Sequence, residues 1–425
     1  MTRSTRRIRR PGAGGRPAAR SRARLALLWA IVLLTAGCAT GTGDGDRPTR
    51  CTGVGVTADE VRLGLVTSDT GSSSTLFRNA RGGMEARLAV TNAQGGVHGR
   101  KIVYEWRDDA SEAASNLVAA RDLVEKAGVL TVEMATSVAA GSAEYLHQQG
   151  VPVTGTGIEH AWARYDNMTS YSYMVAEGQV NDSWGQFARS QGARRAVLLE
   201  SIFSATSRQV GEGVAASLTR AGVEIVDTID VTTHGNDPVS MLNRIRESGA
   251  DTLASAVPTD TFAAIYVNAK RVGAPLKLGL SPNGYDRDLL TRYGAELRGL
   301  YFAVDIMPFE QPTPAHARYL AAMSKYAPYV SEPREQVALA SWIYADISIR
   351  ALEAAGPCPT RQAILDAIRA MHSYDAGGLL PAPVDLGRHP GEVTRCYSFV
   401  RVNEAGTDFE VASRVPYCGD AAPPE

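Results

Sequence analysis

Five cysteines are the residues of this chain best equipped for covalent chemistry. Cys38 stands apart from the other four. It closes the run Leu33-Leu34-Thr35-Ala36-Gly37-Cys38, behind an arginine-rich start (Arg3, Arg6, Arg7, Arg9, Arg10) and one apolar stretch, Leu25 to Leu34. That stretch is too short to span a bilayer, which takes about 20 apolar residues. Small residues at Ala36 and Gly37 admit a peptidase, so the layout reads as a lipoprotein signal over 1–37. Cleavage before Cys38 would leave its thiol to carry a diacylglyceryl group, a two-chain anchor that holds a protein stably at a membrane. Ordinary secretion, with Cys38 unmodified, is the rival reading. Cys51, Cys358, Cys396 and Cys418 remain, and an even number in an exported chain suggests two disulfides. Three pairings are open. Cys358–Cys396 with Cys51–Cys418 is the favoured one, because it ties down both chain ends. No two cysteines have the C-x-x-C spacing of a metal site.

Other reactive constellations are missing. The chain has no Gly-x-Ser-x-Gly, no His-Glu-x-x-His and no phosphate loop. Gly53-Val54-Gly55 precedes a strand instead of following one, which rules against a dinucleotide fingerprint. Seven histidines are scattered. No enzyme and no cofactor are expected. The formal net charge is -1, and part of the positive charge sits in the removable signal. The mature chain is therefore acidic, which excludes nucleic acid as a partner.

The elements follow from periodicity. Residues 38–50, rich in Gly, Thr and Asp, read as a flexible tether. Val61 to Val66 is a short apolar run ending in the polar turn Thr67-Ser68-Asp69-Thr70-Gly71. Phe77 to Asn92 has helical spacing, Ile102 to Trp106 alternates as a strand, and Ala113 to Ala127 is a helix. The strand Val129 to Glu133, the helix Ala139 to Gln149 and the strand Val151 to Thr154 complete a βαβαβαβ unit. The rhythm restarts with strands at Ala196–Leu199, Val223–Ile229, Thr252–Ala256, Leu276–Leu280 and Gly299–Asp305, separated by helices. Helices from Pro314, Arg334 and Thr360 follow, and then a hairpin of Tyr397–Val402 with Phe409–Val415. The fold class is α/β, with parallel sheets covered by helices.

Against this background the chain resembles the leucine/isoleucine/valine-binding protein family. The resemblance rests on Arg62-Leu63-Gly64-Leu65-Val66, Thr70-Gly71, the string Asn92-Ala93-Gln94-Gly95-Gly96-Val97-His98-Gly99-Arg100-Lys101, Asp108-Asp109, and Leu352-Glu353-Ala354-Ala355-Gly356. It covers about residues 60 to 415. The resemblance implies a two-lobed type I periplasmic binding protein fold with three hinge crossings. One lobe would hold 51–170 and 307–390, the other 171–306 and 391–425. It also implies an extracytoplasmic solute-binding lipoprotein of an ABC importer, on the outer face of the cytoplasmic membrane. Such a protein captures a small polar solute, an amino acid or amide-like compound, by hinge closure. Its partners would be that solute, the permease and ATPase subunits, and the membrane through the lipid anchor; the protein itself would be a monomer. A solute sensor on the same fold, or an exported hydrolase, is the alternative.

Site residues are then carried over by position. Helix N-termini expose unpaired N–H groups that favour a ligand acceptor, and two such loops are Thr70-Gly71-Ser72-Ser73-Ser74 and Thr136-Ser137. The resemblance puts Thr136 at a hydroxyl that binds the α-carboxylate of amino-acid ligands. Gly155-Thr156-Gly157 would offer backbone groups. Leu76 stands where amino-acid binders often have an aromatic wall, with Phe77 adjacent. Pro258-Thr259 replaces another contact loop. Asn283 replaces the acid that pairs with a ligand ammonium; Asp286 could substitute, or the ligand has no free amine. Phe203, Tyr285 and Glu200 are further cleft candidates.

Overall fold

Val61 is buried between the partly exposed Glu60 and Arg62, and from Leu63 to Thr67 every residue is buried. That pattern makes Glu60–Thr67 (β1) a strand covered on both faces, as expected inside a parallel α/β sheet. The computed structural model describes residues 51–233, 237–387 and 392–419. The signal, the tether and Cys38 lie outside the described residues.

The strands form two sheets. In the first, Lys101–Asp108 (β2), Val132–Ala135 (β3), Val153–Gly155 (β4) and Met168–Thr169 (β5) join β1 in the order β2-β1-β3-β4-β5, all parallel. The second contains Arg195–Glu200 (β6), Glu224–Asp230 (β7), Thr252–Ser255 (β8), Leu278–Ser281 (β9), Leu300–Val304 (β10), Cys396–Val402 (β11) and Phe409–Val411 (β12). Its order is β12-β11-β10-β9-β8-β6-β7, with β11 antiparallel to β10 and β12, and a short strand Tyr417–Cys418 (β13) also paired to β11. The chain crosses between the two halves three times. It leaves the first sheet after β5 and returns after β10. The helix Gln336–Ala354 then packs on the helix Ala80–Ala93 and on β3 and β4. At β11 the chain joins the second sheet for good. This is the α/β, two-lobed architecture expected for a type I periplasmic binding protein, with mostly parallel sheets flanked by helices.

Two glycines explain how the first half closes. A Cβ at Gly83 would lie 1.9 Å from the Ala338 carbonyl oxygen, so only glycine lets these two helices cross that closely. Gly96 has φ +73° and a Cβ there would meet the Arg100 carbonyl at 1.9 Å. The turn it permits is closed by reciprocal Val97 and Arg100 backbone bonds of 2.9 Å. It delivers Arg100, only 2 % exposed, to three carbonyl acceptors: Thr57 (2.8 Å), Pro357 (2.7 Å) and Cys51 (3.1 Å). The arginine of the Gly-Gly-Val-His-Gly-Arg string is therefore a structural tie.

Two expectations are corrected. The pairs are Cys51–Cys358 and Cys396–Cys418, not Cys358–Cys396 and Cys51–Cys418. Cys396 and Cys418 are register partners on β11 and β13, with Cα atoms 4.0 Å apart, and Cys51 meets Cys358 at 5.6 Å; a disulfide needs this proximity. The first helix is also broken, into Ser74–Phe77 and Ala80–Ala93.

Candidate functional site

In an open α/β sheet, ligands sit outside the carboxyl ends of the strands, where the strand order reverses. The first sheet reverses beside β1, which lies between β2 and β3; the second reverses beside β6, which lies between β7 and β8. A cavity of about 320 Å3 lies there. Its walls follow strand after strand: Ser72, Ser73, Leu76 and Phe77 after β1; Thr156, Gly157 and Ile158 after β4; Ser201, Ser204, Thr206 and Ser207 after β6. Val231 and Thr232 follow β7, Ala256, Val257 and Pro258 follow β8, Pro282 and Asn283 follow β9, and Asp305 follows β10. The helix Gln336–Ala354 adds Gln336, Val337, Ala340 and Tyr344. Its first turn is held by Glu335, whose carboxylate accepts from the Val337 and Ala338 N–H groups at 2.8 and 2.6 Å.

Eight residues expected from the sequence line this cavity: Ser72, Ser73, Leu76, Phe77, Thr156, Gly157, Pro258 and Asn283. Asn283 Oδ1 already accepts from the Thr259 hydroxyl at 2.6 Å. Eight others lie elsewhere. The Thr70 hydroxyl donates to Asp108 at 2.6 Å, and Gly71 makes the adjoining turn at φ +84°. The buried Thr136 hydroxyl is 3.0 Å from the Ser68 hydroxyl and accepts the Val138 N–H at 3.1 Å, so it organises its own loop. The Ser137 hydroxyl backs Ser73 at 2.7 Å. Thr259 supports Asn283 from behind. Phe203 is 80 % exposed and does not line the cavity, although Ser201 and Ser204 beside it do. Tyr285 is buried in the second half, its hydroxyl accepting the Phe309 N–H at 2.9 Å and its ring 5.0 Å from Phe409. Asp286 serves as the N-cap of the helix Arg287–Tyr293.

Sequence reasoning missed the lining residues Asp305, Gln336, Tyr171, Tyr344 and Ala340. Asp305 had a signal, being a charged residue at the carboxyl end of a predicted strand. It is the only Asp or Glu in the lining, and no Lys, Arg or His lines the cavity among the described residues. Its Oδ1 accepts from Gln336 Nε2 at 3.2 Å and from the Tyr171 hydroxyl at 3.4 Å. Burial pushes its carboxyl above the ordinary aspartate range, and the Gln336 amide holds it back. Tyr171 stacks on Tyr344 with centroids 4.9 Å apart.

Side-chain contacts also join the two halves. The Thr206 hydroxyl donates to the Ser137 carbonyl. Arg78, between the two helix fragments of the first half, reaches Asp286 and Asp288 of the second at 2.5 and 2.7 Å.

The family model described as periplasmic binding protein matches residues 60–407. Leu/Ile/Val-binding protein homolog 3 of Brucella melitensis is 21% identical over 196 residues, 45% of this chain and 53% of that protein. The chain thus spans about half the length of this curated relative. Among solved structures, a fatty acid ABC transporter substrate-binding protein from Thermomonospora curvata superposes with a TM-score of 0.73 at 18% identity, covering 87% of this chain and 95% of that one. A branched chain amino acid ABC transporter from Thermus thermophilus with bound valine gives a TM-score of 0.72 at 17% identity, covering 85% and 97%. At these identities the superpositions show the fold.

Proposed function

Because this chain belongs to the periplasmic binding protein family, we propose that it is the extracytoplasmic solute-binding lipoprotein of an ABC importer. It captures a small polar solute, an amino acid or amide-like compound, and releases it unchanged. The observation that carries this reading is the cavity at the carboxyl ends of both sheets. Residues 51–170 with 307–390 act as one lobe and 171–306 with 391–425 as the other, rocking about the three crossings. Leu76, Phe77, Gly157, Pro258 and Asn283 contact the solute. Closure is driven by the solute's better contact with the shut form, and the shut form is what the permease and ATPase partners recognise. Cys38 carries the lipid that holds the protein at the outer face of the membrane; incorporation of labelled palmitate, lost in Cys38→Ser, checks that anchor.

A thermal-shift screen of amino acids, amides, ureas and short carboxylates tests the function. A true solute at 100 times its Kd adds about 2.7 kcal/mol of stability. Ala340→Trp fills the cavity wall and is expected to weaken that solute at least a hundredfold, read by calorimetry on protein whose circular dichroism matches the wild type; because Ala340 is buried, some loss of melting temperature accompanies it. Chemical turnover of the solute, or full affinity in Ala340→Trp, ends the reading.

Arg78 makes a second, smaller prediction. Its two ion pairs are partly exposed, and such pairs contribute about 0–1 kcal/mol. Arg78→Ala therefore weakens the solute only about two- to fivefold, through a larger open population. Unchanged affinity would mean these pairs do not help hold the halves shut.

A further inference from the structure

Resting on that reading of the cavity, we propose that the solute docks end-first with a nitrogen donor, best a protonated amine, on Asp305 and Gln336. The acceptors at this end are matched by too few donors. Gln336 directs its Nε2–H to Asp305 Oδ1 at 3.2 Å. That bond fixes the amide, since turning it would set carbonyl oxygen against carboxylate oxygen. Gln336 Oε1 is then left fully enclosed with no hydrogen-bond partner, a state that costs free energy until a donor arrives. Asp305 receives that amide, the long 3.4 Å bond from the Tyr171 hydroxyl and the nearby Ser172 hydroxyl, all of them neutral donors. No Lys, Arg or His lines the cavity among the described residues, so the one carboxylate has no fixed cation there. A ligand ammonium supplies a charge for Asp305 and, where Gln336 swings to uncover its Oε1, a hydrogen for that atom as well. A ligand carboxylate at the same end would add acceptor to acceptor. Leu76, Phe77, Val257 and Val337 give the rest of the solute an apolar wall.

Phenethylamine, phenylacetamide and phenylacetate share a body and differ at the polar end. By calorimetry the amine is expected to bind most tightly, the neutral amide more weakly, and the acid least. Asp305→Asn keeps the shape and removes the charge. It should weaken the amine about ten- to a hundredfold while changing the amide by less than threefold. Gln336→Leu should weaken both donors and serves alone if Asp305→Asn fails to fold. The proposal is overturned if phenylacetate binds as tightly as the amine, if neither donor binds the wild type, or if both variants keep full amine affinity. Ala340→Trp separates this failure from that of the cavity itself. Binding lost in Ala340→Trp but kept in Asp305→Asn sinks only the assignment of the donor end. Binding kept in Ala340→Trp removes the solute from the cavity altogether.

Discussion

Replacing Cys51 and Cys358 together by serine is expected to lower the unfolding free energy by about 3–5 kcal/mol. The bond joins residues 307 apart in sequence, and in the chain-entropy account a cross-link restricts the unfolded chain more as its loop lengthens. It also sits on the joint that Arg100 builds. The guanidinium collects carbonyls from Cys51 and Pro357, one on each side of the disulfide, as well as Thr57. Freeing Cys51 loosens two of those acceptors, and a buried guanidinium that loses partners is destabilising. The matching change at Cys396 and Cys418, which closes a separation of only 22, should cost less, because the β11–β13 register already holds those residues together. Urea unfolding of the two double variants beside the oxidised wild type measures the difference. Equal losses, or a smaller loss for the Cys51–Cys358 pair, would show that loop length and the Arg100 joint are not what makes this bond matter.

The disulfides mark where sequence reading stops. Two α/β units are visible in the periodicity of Val61–Val66, Ala196–Leu199 and Thr252–Ala256, because each strand must be apolar on both faces; the return to the first unit follows only from the family resemblance. Loops at strand ends are visible too, but Phe77, Gly157, Pro258 and Asn283 are picked out of them only by the family resemblance, which carries them over by position. What a side chain does inside a loop depends on neighbours far away in sequence. Thr136 looks like a free hydroxyl until Ser68 is placed 3.0 Å from it. Tyr285 and Phe203 look alike as aromatic residues after strands, yet one is buried under Phe409 and the other faces solvent. Gln336, Ala340 and Tyr344 reach the cavity on a helix that follows the second sheet but packs on the first. Four cysteines allow three pairings, and only the register of β13 on β11 chooses among them.

Glu133, the last residue of the strand expected over Val129 to Glu133, is interior, which makes it the source of a pH effect. It lies on β3 between Leu65 of β1 and Thr154 of β4 and is 2 % exposed. One carboxyl oxygen accepts from the Ser341 hydroxyl of the covering helix. Oε2 is enclosed without a partner, and Tyr344 is the titratable neighbour that feels its charge. Burial pushes its pKa up to about 8, with the Ser341 bond opposing the rise. The folded state thus holds a proton that the unfolded chain releases at ordinary glutamate values. By linkage, the stability from this group is intact below about pH 4.5 and is lost as pH rises to about 8, levelling off beyond. Glu133→Gln keeps the Ser341 acceptor and removes the ionisation. It should be near neutral at about pH 5 and more stable than wild type by on the order of 4 kcal/mol at about pH 9. Glu159 and Glu335, whose pKa values are each pushed up to about 7, titrate in both proteins and cancel in the difference. The measurement is the gap between the two unfolding free energies across that range, which should open with pH. A gap that stays flat would mean that Glu133 ionises inside the fold as easily as in water, and that the closed packing of β3 beneath the helix Gln336–Ala354 admits solvent.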